Sequence, residues 1–299
     1  GICGITKDEL VGQMDNDIRL IAEKRGITYE QVLDKLKDNY DGYHFTWPSP
    51  DVYNPYSLLN CLADGRFNYY WFGSGTPTYL INMMRKFKVL PSQLSPVRAK
   101  NSSFDAATET MTSLTPLLYQ SGYVTIKDYD EETDVYTLGF PNKEIEVGLY
   151  DSLLPGYLDT AIDGGRVVVA DMSVKLKRGK LEEALELLRD FLETVPYCDN
   201  TNYEGHYQQM FYIIFALLTS YSIQVEAHTP KGRVDVVVET QNHVYVIEMK
   251  FNKTAEEALA QINSRRYAEA YAMKGKQVVK AGLNFSVNDE ENVLEWVIE

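Results

Sequence analysis

The sequence predicts a mixed α+β and α/β fold in three parts: a mainly helical N-terminal region, a helix–hairpin–helix unit, and a C-terminal domain ordered helix, three strands, helix, strand. Three observations carry this. Apolar residues recur at helical spacing over roughly the first 95 residues. Residues 111–154 then change to short alternating runs around a polar turn. Near the C-terminus, two β-branched runs, Gly232–Val238 and Val244–Phe251, read as adjacent strands. The expected divisions are 1–100 for the helical region, 101–165 for the hairpin unit, 166–200 for a linker helix and 201–299 for the last domain.

The helical elements announce themselves through their ends. Thr6 precedes Asp8 and Glu9, a cap followed by first-turn acids, and the helix should run to about Glu23 before Gly26. Thr28 caps a second helix with Val32, Leu33, Leu36 and Tyr40 on its stripe, and Asp41-Gly42 stops it. Asn54-Pro55 starts a third, with Leu58, Leu59 and Leu62 inward, and Ser74 to Pro77 starts a fourth before Tyr79.

Within 111–154, a short helix at Leu117–Gln120 ends at Gly122. Tyr123–Ile126 and Val135–Leu138 alternate as strands about the turn Asp128–Asp134, and Asn142 caps a helix to Leu153. This resembles a winged-helix unit. Its wing carries Asp128, Asp130, Glu131, Glu132 and Asp134, which repel phosphate, so packing is expected of it rather than DNA binding.

Lys180–Tyr197 is an amphipathic helix with Leu181, Ala184, Leu185, Leu188, Phe191 and Leu192 on one face, and Glu204–Tyr221 is a more apolar, buried one. Strands follow at Ile223–Thr229, Val234–Glu239 and Val244–Phe251, then a helix at Thr254–Met273, then strands at Gln277–Asn284 and Leu294–Ile298.

The two central strands hold the chemistry. Asp235, Glu248 and Lys250 stand in runs that should be buried, where charge must be paired or bind metal. Strand side chains alternate, so Glu248 and Lys250 share a face. If the strands are neighbours, Asp235 joins them. Two carboxylates and an ammonium suit a Mg²⁺ or Mn²⁺ ion and a water beside a phosphodiester. A salt-bridged trio with no catalytic role is the competing reading, disfavoured because buried ion groups rarely improve on an apolar core.

An Asp on one strand followed by Glu248-Met249-Lys250 on the next resembles the PD-(D/E)XK nuclease superfamily, with Val234 where that motif has its leading Pro. The resemblance extends to the helix after the motif, which carries Gln261, and to Glu204 at the start of the first helix of the domain. It implies a restriction endonuclease-like αβββαβ domain. Asp235 and Glu248 would hold Mg²⁺ or Mn²⁺, with the Met249 carbonyl and Glu204 as further ligands and Glu226 competing with Glu204 for the extra acid. Lys250 would orient the water or stabilise the transition state, and Gln261 would position Lys250 or the nucleophile. Arg233, Lys253 and Arg265 would contact nucleic acid, DNA being expected ahead of RNA. Tyr40-Asp41-Gly42-Tyr43, Tyr53-Asn54-Pro55-Tyr56-Ser57 and Leu114–Tyr123 resemble a bacterial family that joins an AAA-ATPase-like region to such a domain. That family carries a phosphate loop. No Gly-x-x-x-x-Gly-Lys-Ser/Thr occurs here, so the chain is read as the C-terminal portion, with no nucleotide site of its own and the ATPase domain as a partner. A nuclease fold without catalysis, serving as a binding or regulatory module, is the alternative.

Composition bounds the rest. The net charge of −14 argues against broad affinity for phosphate backbones, which needs clustered Lys and Arg. Three scattered cysteines fit a reduced, cytoplasmic setting. No apolar run is long enough for a membrane span, so no membrane partner is expected.

Overall fold

The computed structural model describes residues 4–73, 77–104, 107, 111–158, 164–195, 203–221, 223–228, 233–265, 275–288 and 291–299. The chain divides into two compact units, Gly1–Leu149 and Tyr150–Glu299.

The first unit opens with α1 (Lys7–Gln13), α2 (Asp15–Arg25), α3 (Tyr29–Tyr40) and α4 (Pro55–Asp64). Thr6 and Thr28 each form a capping box, and Asn54 accepts from Tyr56 and Ser57, so local chemistry sets these starts. The single helix expected from Thr6 to Glu23 is two. Met14, at φ −122°, closes α1 and opens α2, and this break lets Leu10, Ile18 and Ile21 all enter one core with Val32, Leu36, Tyr40 and Leu58. Short helices α5 (Tyr70–Gly73) and α6 (Thr78–Phe87) follow, then β1 (Val97–Ala99), α7 (Asn101–Phe104) and α8 (Thr115–Gln120).

β2 (Thr125–Asp130) and β3 (Val135–Gly139) form the expected hairpin, with the strand order β1-β3-β2. β2 runs further into the polar segment than its sequence implies. A register shift between Ile126 and Asp128 turns Lys127 inward, where its ammonium donates to the carbonyls of Gly42 and Pro141 at 3.0 Å each. Asn142 caps α9 (Lys143–Leu153) as expected, and the division between units falls inside this helix.

Glu144 is fully buried and accepts from the Trp71 backbone at 2.9 Å, while burial pushes its carboxyl upward from the ordinary range. A raised folded pKa means the fold bears the cost of ionising Glu144 once the pH exceeds the unfolded value. Below that value there is no cost. Glu144→Gln keeps an acceptor for Trp71 and removes the charge. It should stabilise the protein at pH 7.5, where the carboxylate carries its charge, and the gain should vanish once the pH falls below the ordinary carboxylate range. Thermal unfolding of both proteins above and below that range measures this.

The second unit begins with α10 (Pro155–Leu158), α11 (Gly164–Lys177) and α12 (Leu181–Leu192). The end of α12 is tied to a later part of the chain, where Asn292 donates to the carbonyls of Leu192 and Val195 at 3.0 Å each. Next come α13 (Tyr203–Leu217), β4 (Gln224–His228), β5 (Arg233–Glu239), β6 (His243–Phe251), α14 (Ala255–Arg265), β7 (Gln277–Asn288) and β8 (Glu291–Ile298). The expected continuation of α14 to Met273 lies outside the described residues.

The sheet order is β4-β5-β6-β7-β8, antiparallel except for the β6–β7 pair. One face meets α14 through Val244, Val246, Leu259 and Ile262. The other meets α13 through Phe211, Phe251, Phe285 and Tyr207, and Tyr245 donates to the Leu176 carbonyl at the end of α11. The sheet is thus sandwiched between helical layers.

Candidate active site

The site is set by the β5–β6 hairpin. Its turn is closed by Thr240 N to His243 O at 2.8 Å and His243 N to Thr240 Oγ1 at 3.0 Å. That register places Asp235 directly opposite Glu248 and Arg233 opposite Lys250. Directly paired residues project to the same face, so Asp235, Glu248 and Lys250 all rise from the face that α14 covers. The register thus sets these three residues on one face of the sheet.

Glu248 is 1% exposed. The Lys250 ammonium lies 3.4 Å from Glu248 Oε1 and donates to Gln261 Oε1 at 2.5 Å. Gln261 is thus held against Lys250 from α14, and its Nε2 is buried with no hydrogen-bond partner. A buried amide donor aimed beside an ammonium is a feature a substrate oxygen or water would satisfy. Like charges directly opposite each other on a sheet repel. Asp235 and Glu248 therefore form a poor purely structural pair, offset in part by Lys250.

Two residues that the sequence reading missed support this arrangement. Gly282 of β7 pairs with Glu248, and a Cβ there would sit 2.1 Å from the Ala255 carbonyl and 2.4 Å from the Leu259 nitrogen. Its bare backbone lets α14 lie close to the sheet. Asn284, 3% exposed, pairs with Lys250 and accepts from the Lys253 backbone at 2.9 Å. Glycine inside a strand is a signal of close backbone approach, but what approaches is visible only in three dimensions.

The remaining expected site residues are spread more widely. Met249 points its side chain into the opposite face, fully buried. Glu204, exposed at the start of α13, accepts from Asn252 Nδ2 at 2.6 Å. Glu226 is exposed on β4 opposite Val237. Arg233 and Arg265 have backbone positions in β5 and at the end of α14, with side chains outside the described residues. Lys253 is exposed in the turn after β6. His206, two residues on from Glu204, bonds to the Tyr157 carbonyl at 2.8 Å. Among the described residues, no group of three or more His, Cys, Asp or Glu is arranged to hold a metal ion. The donor set at Asp235 and Glu248 still fits Mg²⁺ or Mn²⁺, hard cations that take one or two carboxylates and complete their shells with water.

This geometry agrees with the comparisons. Residues 202–296 match the model of the PD-(D/E)XK nuclease superfamily, which supports a domain of that superfamily there. The chain is also 30% identical, over 316 aligned residues, to a protein described as "Uncharacterized protein in vnfD 5'region" from Azotobacter chroococcum mcd 1. The alignment takes in 100% of this chain and 57% of that relative, so the chain spans little more than half of its length. No helix among the described residues is long and apolar enough to cross a membrane.

Proposed function

We propose that the chain is a metal-dependent phosphodiesterase that cleaves nucleic acid, DNA in preference to RNA. The observation that carries this is the pairing of Asp235 with Glu248 across β5–β6, with Lys250 beside them and braced by Gln261. Asp235 and Glu248 would hold Mg²⁺ or Mn²⁺, with the Met249 carbonyl as a further donor. When bound, the ion supplies Lewis acidity toward the phosphate and a bound water of lowered pKa. Lys250 uses two of its three protons on Glu248 and Gln261, leaving one N–H to donate to a phosphoryl oxygen as charge builds there. Gln261 Nε2 donates to the attacking water or a neighbouring phosphate oxygen. Arg233, Lys253 and Arg265 supply local positive charge for the backbone, needed in a chain whose net charge is −14.

In the first unit, the order α6, β1, α7, α8, β2, β3 and the strand order β1-β3-β2 support a winged-helix reading. With acids along its hairpin tip, this unit serves as a packing element of an AAA-ATPase-like protein, where it links nucleotide hydrolysis to the nuclease. Cytoplasmic action fits the three scattered cysteines.

Incubating the chain with linear and circular DNA tests the activity. Cleavage with Mg²⁺ or Mn²⁺ is expected, with complete loss on chelation and recovery on adding the ion back. Absence of Mn²⁺ binding by calorimetry at millimolar concentration would instead make the domain a non-catalytic binding module.

A further inference from the structure

Glu204 stands where the family resemblance implies a metal ligand, yet its carboxylate is engaged elsewhere. Oε1 accepts from Asn252 Nδ2 at 2.6 Å. Asn252, a non-glycine residue at positive φ (54°), lies in the two-residue link between Phe251 and the Thr254 cap of α14. Its own nitrogen bonds to the Phe285 carbonyl at 3.0 Å. The next nitrogen, Lys253, bonds to Asn284 Oδ1 at 2.9 Å. The link is therefore tied to α13 through Glu204 and to β7 through Phe285 and Asn284. Where it is held decides where α14 starts. From there α14 delivers Gln261 to Lys250 at 2.5 Å.

We propose that Glu204 is a positioning residue: its carboxylate clamps Asn252 in the left-handed turn, and the clamp fixes α14, Gln261 and through it the Lys250 ammonium. The catalytic part of this proposal rests on the nuclease reading above; the clamp itself does not. The chemistry separates a clamp from a ligand. A clamp needs an acceptor oxygen, which glutamine supplies. A neutral amide oxygen is a weaker ligand to a hard cation than a carboxylate, so in a ligand the same change should weaken metal binding. A clamp also acts only through Asn252. Glycine adopts the left-handed turn with no side chain to hold, so Asn252→Gly keeps the turn and removes the contact.

The test is a double-mutant cycle in the whole chain with Glu204→Ala, Asn252→Gly and both together, plus Glu204→Gln. Three quantities are read: amide hydrogen exchange in the peptide 252–258, the Kd for Mn²⁺, and kcat with KM. Glu204→Ala is expected to speed exchange about tenfold and to lower kcat by a similar factor, as a misplaced catalytic group does. KM and the Mn²⁺ Kd should stay within about twofold, since binding groups are untouched. Glu204→Gln should rescue most of both losses, and Glu204→Ala should add nothing to Asn252→Gly. Tenfold weaker Mn²⁺ binding in both Glu204 variants, or an undiminished effect of Glu204→Ala beside Asn252→Gly, overturns the clamp. If the unaltered chain cleaves no nucleic acid, the nuclease reading fails on that result alone. The exchange cycle then still decides: coupling between the two positions supports the clamp and additivity refutes it.

Discussion

Asp235→Asn should slow cleavage at least a hundredfold while leaving the protein as stable as before, or slightly more so. Asparagine keeps the shape of the side chain and removes one of two like charges paired across β5–β6. Relief of that repulsion is worth about 0.2–1 kcal/mol. Loss of the charge removes electrostatic stabilisation of the transition state, at a cost of roughly 3–4 kcal/mol or about 10²–10³ in kcat. A structural salt-bridge role predicts the opposite balance, because breaking a buried ion group destabilises. Cleavage rates and thermal midpoints of the two proteins, measured side by side, distinguish the cases. Activity within tenfold of the unaltered chain, in a folded variant, removes Asp235 from the mechanism. Lys250→Met should behave alike in rate, since methionine fills the space beside Gln261 without an N–H to give.

The second large effect is expected at a residue with no functional group. In Gly282→Ala the added methyl would lie 2.1 Å from the Ala255 carbonyl, 2.4 Å from the Leu259 nitrogen and 2.9 Å from the Leu259 Cβ. The first two are helix backbone, which cannot turn aside as a side chain can. α14 must therefore move as a body, taking Gln261 away from Lys250. Overpacking of this kind costs about 1–3 kcal/mol, and a displacement near 1 Å at the catalytic group costs about 10² in rate. Gly12→Ala is the control: a Cβ there meets nothing within 4 Å, and α1 should gain about 0.5–1 kcal/mol. Thermal midpoints and kcat for both variants give the answer. A Gly282→Ala protein with unchanged rate would show that the close seat of α14 does not govern Lys250.

What the sequence disclosed divides by range. Thr6, Thr28, Asn54 and Asn142 cap through bonds to residues two or three positions on, so their neighbours suffice to identify them. β5 and β6 were legible because β-branched runs carry charge at only one parity, and the same parity exposed Asp235, Glu248 and Lys250 as one set. Features that depend on distant segments were not legible. β1 is three residues whose only reason to be a strand is β3. α11 contains Val167-Val168-Val169, a run of poor helix formers, and is helical because Val169, Met172 and Leu176 are buried along one side. The clamp of Asn252 by Glu204 joins residues far apart in the chain, and no local pattern marks it.

The short turn from Thr240 to His243 has a consequence for how the chain tolerates change. Every residue of β5 is counted off from that turn, and side-chain direction inverts with each step along the strand. One extra residue between Asp235 and Thr240 would rotate the Asp235 carboxylate onto the α13 face, among Phe211, Phe251 and Phe285, while the rest of the hairpin kept its bonds. The spacing from acid to turn is therefore an odd-or-even code: insertions of two keep the carboxylate on the working face, and insertions of one bury it on the wrong side.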